Sequence, residues 1–167
     1  MKKNQKGFSL IELLIVVVVI GILAAIAIPN LLASRRAANE GSAVSALRTM
    51  HSGNVAFQST QGGGRFAASM AILQSAGFID GVLATATTTA TPKNGYFYTY
   101  NGAGTANNPS TFEILATPSV ATGLPRTGTR FYIIAETGFI FTSSSNGSAP
   151  TIDSATRLVT GGSPLNN

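Results

Sequence analysis

The chain has no cysteine and a single histidine. The first absence excludes a disulfide framework and any thiolate metal site. The second rules out a multi-histidine metal centre, and one loose histidine does not make a credible Ser–His–Asp relay. Charge is also scarce. Asp, Glu, Lys and Arg make up 10% of the residues, against roughly 25% in ordinary soluble domains. The six carboxylates are scattered, with no paired spacing suited to acid–base catalysis. No catalytic, cofactor-binding or metal-binding residue is therefore nominated, and no cofactor is expected. The formal net charge of +5 does not point to nucleic acid, because Lys2, Lys3 and Lys6 precede the apolar run and without them eight cations face six anions. No basic stripe is left for a phosphate backbone.

What is abundant is apolar length at one end. Leu13–Ile28 reads LLIVVVVIGILAAIAI, and the 22 positions from Leu13 to Ser34 carry no charge. As helix these positions extend ~33 Å, enough for a bilayer core of ~30 Å. Lys2, Lys3 and Lys6 would hold the N-terminus in the cytoplasm, placing everything after Arg35 outside. A cleavable secretory signal has a similar layout, with Ala25-Ile26-Ala27 as its small-residue site. Glu12 argues against it, since a carboxylate at the head of the run costs about 2.5 kcal/mol or more near the bilayer core and does nothing for export. Arg35 and Arg36 suit anionic lipid heads, a neighbour's carboxylate such as Glu40, or simply a solvated stop.

Lys6-Gly7-Phe8-Ser9-Leu10-Ile11-Glu12-Leu13, followed by the aliphatic run, closely resembles the processing motif of type IV prepilins and pseudopilins. The likeness covers Lys2 to about Asn30, with Gly21 and Pro29 inside it. It implies leader cleavage between Gly7 and Phe8 and N-methylation of the new Phe8 amine by a prepilin peptidase and methyltransferase. Losing 7 of 167 residues would leave 160. Gly7 suits close approach of a protease to the backbone. Glu12 lies four residues after Phe8, about 6 Å along a helix axis. A neighbouring subunit shifted by a turn or two would thus bring its cationic N-terminus beside the carboxylate, and a charge in an apolar bundle needs such a partner. The resemblance assigns Phe8 and Glu12 this role in subunit assembly; a carboxylate snorkelling to the interface is the plainer reading. Gly21 and Pro29 bracket a weak helical stretch. The resemblance implies that this stretch can lose helical hydrogen bonds within a filament; a mild kink is the bland alternative.

Beyond Asn30 the helical rhythm continues, with Val44, Leu47, His51 and Val55 as the apolar stripe and Gly41 and Gly53 as weak points. One helix from about Phe8 to Phe57 is expected, ended by Gln61-Gly-Gly-Gly-Arg65. His51 reads as a packed or hydrogen-bonded residue at the core edge. Ala67–Ala76 is predicted as a short helix with Met70 and Leu73 inward and Gly77 as its stop. Phe78-Ile79-Asp80 then leads into a loop, and Thr85–Thr91 is an exposed low-complexity stretch open to O-glycosylation. Tyr96–Tyr100, Phe112–Ala116, Arg130–Ala135 and Phe139–Thr142 read as strands, the last two joined by a tight Thr137-Gly138 hairpin. Their aromatics suit cross-strand packing rather than electron transfer. The Ser/Gly/Asn-rich segment after Thr142 reads as a poorly ordered or surface-wrapped tail, charged only at Asp153 and Arg157.

The expected fold class is α+β, a long N-terminal helix packed on a small antiparallel sheet, as in type IV pilins. Its parts are a leader (1–7), a transmembrane and assembly helix (8–34), an amphipathic continuation (35–60), a globular head (61–142) and a tail (143–167). The implied function is a non-enzymatic structural subunit of a type IV pilus, a homo-oligomeric helical filament serving adhesion, twitching motility or DNA uptake. Its precursor would sit in the bacterial inner membrane with its head periplasmic, contacting lipid before assembly and then an inner-membrane assembly platform. The alternative is a pseudopilin of a type II secretion system, weakened because the tail lacks the clustered carboxylates a calcium loop needs. A membrane-anchored periplasmic enzyme or binding module is a third class, for which the residues supply no constellation.

Overall fold

Helix α1 runs unbroken over Leu10–Thr60 in the computed structural model, which describes residues 8–103, 111–123 and 125–165. The chain divides into two compact units, residues 1–35 and 36–167. In the first unit none of the described residues is buried, although nearly all are apolar. Such a helix has no core of its own to join.

The second unit is the head, and its part of α1 buries Ala43, Ala46, Leu47, Met50, Gly53 and Asn54. The stripe is therefore rotated from the predicted one. Leu47 is central to both, but Val55 is exposed and Val44 and His51 lie at the margin. Small residues decide this, because alanines and a glycine let other segments approach the helix axis. A Cβ at Gly53 would lie 3.3 Å from both Cβ and the carbonyl oxygen of Phe78, so this glycine marks close packing. Asn54 is fully buried yet satisfied, donating to the Met50 carbonyl at 3.0 Å and accepting from the Ala67 N–H and the Tyr100 hydroxyl.

Helix α2 (Met70–Ser75) starts three residues later than predicted, at an N-cap where Ser69 Oγ accepts from the Ile72 N–H. It ends as expected, with the N–H groups of Gly77 and Phe78 returning to the carbonyls of Gln74 and Leu73. The predicted loop after Asp80 is instead a further turn, α3 (Gly81–Thr85). Asp80 Oδ1 caps it through the Leu83 N–H at 2.6 Å, and Oδ2 pairs with Lys93 at 2.9 Å.

The four predicted strands appear as β1 (Tyr96–Ala103), β2 (Thr111–Pro118), β3 (Arg130–Ala135) and β4 (Ile140–Ser144), consecutive and antiparallel. Strand β2 alternates strictly between buried and half-buried positions. Tyr96, Tyr98, Phe112, Ile114, Ala116, Tyr132, Ile134 and Ile140 form one core with Leu47, Met50, Leu73 and Leu83. The aromatics act as packing groups. Tyr100 stacks on Phe112, while Phe66 meets the same ring edge-on at 4.8 Å. The β3–β4 connection is longer than the predicted two-residue turn, spanning Glu136 to Phe139 with Gly138 at φ +79°.

The segment after Thr142 departs most from expectation. It adds β5 (Thr151–Ile152) paired with β6 (Val159–Thr160), and β7 (Ser163–Pro164), which makes a fifth strand on the edge of β4. The head is thus a five-stranded sheet on a helix, with a two-stranded ribbon beside it. Between β5 and β6, Asp153 Oδ1 accepts from the N–H groups of Ala155 and Thr156, and the loop carries Arg157 in the left-handed region at φ +57°.

Candidate functional site

The first turn of α1 holds the residues singled out for processing and assembly. Gly7, Lys2, Lys3, Lys6 and the leader lie outside the described residues. Phe8 is 81% exposed just ahead of the helix. Ser9 stands at the cap position, and its N–H donates to Glu12 Oε2 at 2.9 Å. That is the carboxylate half of a capping box, in which the third helical residue reaches back to the cap amide. The Ser-x-x-Glu spacing at 9–12 is the sequence signal for this role, which a reading based only on subunit pairing passes over. Glu12 Oε1 has no protein partner among the described residues. One oxygen caps the helix and the other remains available.

Gly21 and Pro29 both lie within continuous helix in the single chain. Pro29 has no N–H for the carbonyl of Ala25, so one rung of the ladder is missing there. Just beyond it, Asn30 Nδ2 donates to the Ile26 carbonyl at 3.0 Å and Ser34 Oγ to the Asn30 carbonyl at 3.0 Å. A Cβ at Gly21 would touch nothing, so its surface is open to whatever covers the helix.

In the head, the charged groups hold the fold together. Glu40 Oε1 accepts from the N–H and Oγ1 of Thr129, both at 2.7 Å, and Oε2 accepts from the Tyr132 hydroxyl at 3.2 Å. A carboxylate used this way is not the free partner for a neighbour's Arg35 or Arg36 that the sequence suggested. Burial and then the Glu40 charge push the Tyr132 hydroxyl up to about 12. Arg157 donates through Nε and Nη2 to the two oxygens of Glu136 at 2.8 and 2.6 Å, with Nη2 also on the Phe112 carbonyl and Nη1 3.8 Å from Glu113. Burial alone would raise the Glu136 carboxyl, but its hydrogen bonds and the charge of Arg157 outweigh it and hold the group below its ordinary range. This fork-to-fork pair and the β7 pairing hold the segment that has no disulfide. His51 Nε2 lies 3.2 Å from the Glu136 carbonyl oxygen and its ring packs near Phe112. Among the described residues no three His, Cys, Asp or Glu side chains group to hold a metal ion.

An exposed apolar helix whose first turn carries a capping glutamate, followed by a small antiparallel α+β head, is an arrangement consistent with the type IV pilin fold. Residues 2–28 match the family model for the prokaryotic N-terminal methylation motif. Over 38 residues the chain is 66% identical to the type IV wide pilus major component PilA4 of Thermus thermophilus, covering 23% of this chain and 29% of the relative. Over 52 residues it is 36% identical to type II secretion system core protein G of Dickeya chrysanthemi, covering 31% and 34%. Over 30 residues it is 77% identical to the type IV major fimbrial protein FimA of Dichelobacter nodosus, covering 18% and 19%. The matches thus span about a fifth to a third of these relatives. No solved structure matches the chain.

Proposed function

We propose that the chain is the structural subunit of a type IV pilus, cleaved between Gly7 and Phe8, N-methylated at Phe8 and polymerised through residues 8–34. The observation that carries this reading is the apolar helical segment with no buried residue, whose lone carboxylate, Glu12, keeps one oxygen unpartnered beside the future N-terminus. In a filament the helix would be covered by copies of itself, and Glu12 would accept the Phe8 amine of a neighbour. A repeated head-to-tail contact of this kind builds an open helical polymer. Before assembly the helix sits in the inner membrane with the head periplasmic, where a prepilin peptidase and methyltransferase and an assembly platform act on it. The missing rung at Pro29 supports loss of helical hydrogen bonding between Gly21 and Pro29 once the subunit is packed. The relatives are named as pilus and secretion-system components, which supports a structural rather than an enzymatic role.

Similarity to core protein G favours one second reading, a pseudopilin of a type II secretion system. Shearing filaments from the native cells and identifying their main protein by mass spectrometry separates the two. An abundant methylated species beginning at Phe8 in the sheared fraction supports the pilus subunit. A processed species confined to the envelope supports the pseudopilin, and an unprocessed chain overturns both.

A further inference from the structure

Within the head, every described carboxylate has hydrogen-bond or ion-pair partners of its own. Glu40 holds Thr129 and Tyr132, Asp80 holds Lys93 and the cap of α3, Glu113 and Glu136 hold Arg157, and Asp153 holds its own loop. No ion pair joins any of them to Arg36, Arg126 or Arg130 among the described residues. These three arginines belong to one end of the head. Asn39 Nδ2 donates to the Thr127 carbonyl at 2.9 Å and Thr129 donates to Glu40. The 126–130 segment is thereby tied to the turn of α1 that follows Arg36. Arg126 Nε is buried with no partner, and Arg130 is exposed. Glu40 is the carboxylate that faces this cluster, so three positive charges meet one negative charge. Residue 36 also follows closely on the 22-residue uncharged run that ends at Ser34. A chain anchored through that run holds Arg36 at the depth of the lipid phosphates.

We propose that Arg36, Arg126 and Arg130 form a seat for the phosphate of an anionic phospholipid, used while the subunit resides in the membrane. The inference rests on the membrane-anchored reading above. Guanidinium groups suit it because they fork onto phosphate oxygens in two places at once. A polybasic surface next to a membrane span gains from the negative potential of anionic lipid.

The absence of cysteine makes the test direct. The full chain carrying Thr122→Cys is labelled with a dye and reconstituted in phosphatidylcholine vesicles. These contain traces of quencher-labelled phosphatidylglycerol or quencher-labelled phosphatidylcholine. Quenching by the anionic lipid should exceed quenching by the neutral one roughly threefold, and the excess should vanish in the R36Q/R126Q/R130Q chain. R130Q alone, at an exposed position, should lower it and serves if the triple variant does not fold. Equal quenching by the two lipids, or a preference unchanged in these variants, overturns the proposal. A chain that fails to float with the vesicles overturns the membrane reading, and the proposal with it.

Discussion

The backbone N–H of Ser9 donates to Glu12 at 2.9 Å, so the one carboxylate of the apolar segment already serves its own helix. This complicates the simplest mutational test of assembly. Removing the side chain removes a cap as well as a charge, and the cap alone is worth about 1 kcal/mol of helix stability.

Glutamine separates the two roles. Glu12→Gln keeps an acceptor for Ser9 and loses the charge, whereas Glu12→Ala loses both. Both variants are expected to insert and be cleaved before Phe8, and neither should yield sheared filaments. Normal filament yield from E12Q, with loss only in E12A, would show that the cap and not the charge is what matters.

Processing depends on the residue before the cut. Gly7→Leu places a branched side chain where the protease must approach the backbone. The leader should then remain attached, visible as an intact mass exceeding that of the wild type by the seven leader residues. Normal cleavage of G7L would remove Gly7 from the site.

Glu40 ties β3 to α1. Glu40→Ala leaves the Thr129 N–H and the Tyr132 hydroxyl without their acceptor, at about 1–3 kcal/mol for each group that stays buried. A fall in Tm of roughly 5–10 °C is expected for a chain of this size, followed by tyrosine circular dichroism. An unchanged Tm would mean that these donors find water at no cost.

The Arg157–Glu136 pair gives the C-terminal ribbon a pH dependence. Because the Glu136 carboxyl is held below its ordinary value of 4.5, its contribution is fully present above that value and is lost as pH falls through the lower, folded-state value. Arg157→Asn tolerates the left-handed backbone while deleting the pair, and should cost about 2 kcal/mol in urea unfolding at pH 7, less than a fully buried pair. The gap between wild type and R157N should shrink below about pH 4. A gap that is constant with pH would assign the cost to packing instead.

How much of this was legible depended on whether the signal was local. Tyr96–Tyr100 and Phe112–Ala116 announce strands because each is a short run of aromatic and aliphatic residues bounded by Gly, Asn, Pro or Thr along one segment. The helix end at Gln61-Gly-Gly-Gly is equally local. Helix α3 was missed because five residues carry little periodicity, although Asp80 is an ordinary cap. Strands β5 to β7 are two residues each in a Ser/Gly-rich stretch, and only long-range pairing with Phe141 and Thr142 makes β7 part of the sheet. The choice of Glu136 and Glu113 as partners for Arg157 is likewise set by the folded chain. At the processing site the reverse holds, since Gly7, Phe8 and Glu12 stand out in sequence while Gly7 lies outside the described residues.

Strand β7 contributes only Ser163 and Pro164 to the outer edge of the sheet. A proline has no N–H to offer a further strand, and so short a strand is a poor template for one. In the proposed filament the heads lie side by side at very high local concentration, the condition under which open sheet edges anneal into cross-β aggregates. On the β7 side Pro164 acts there as an insulator, withholding the donor that a neighbouring domain's strand would need.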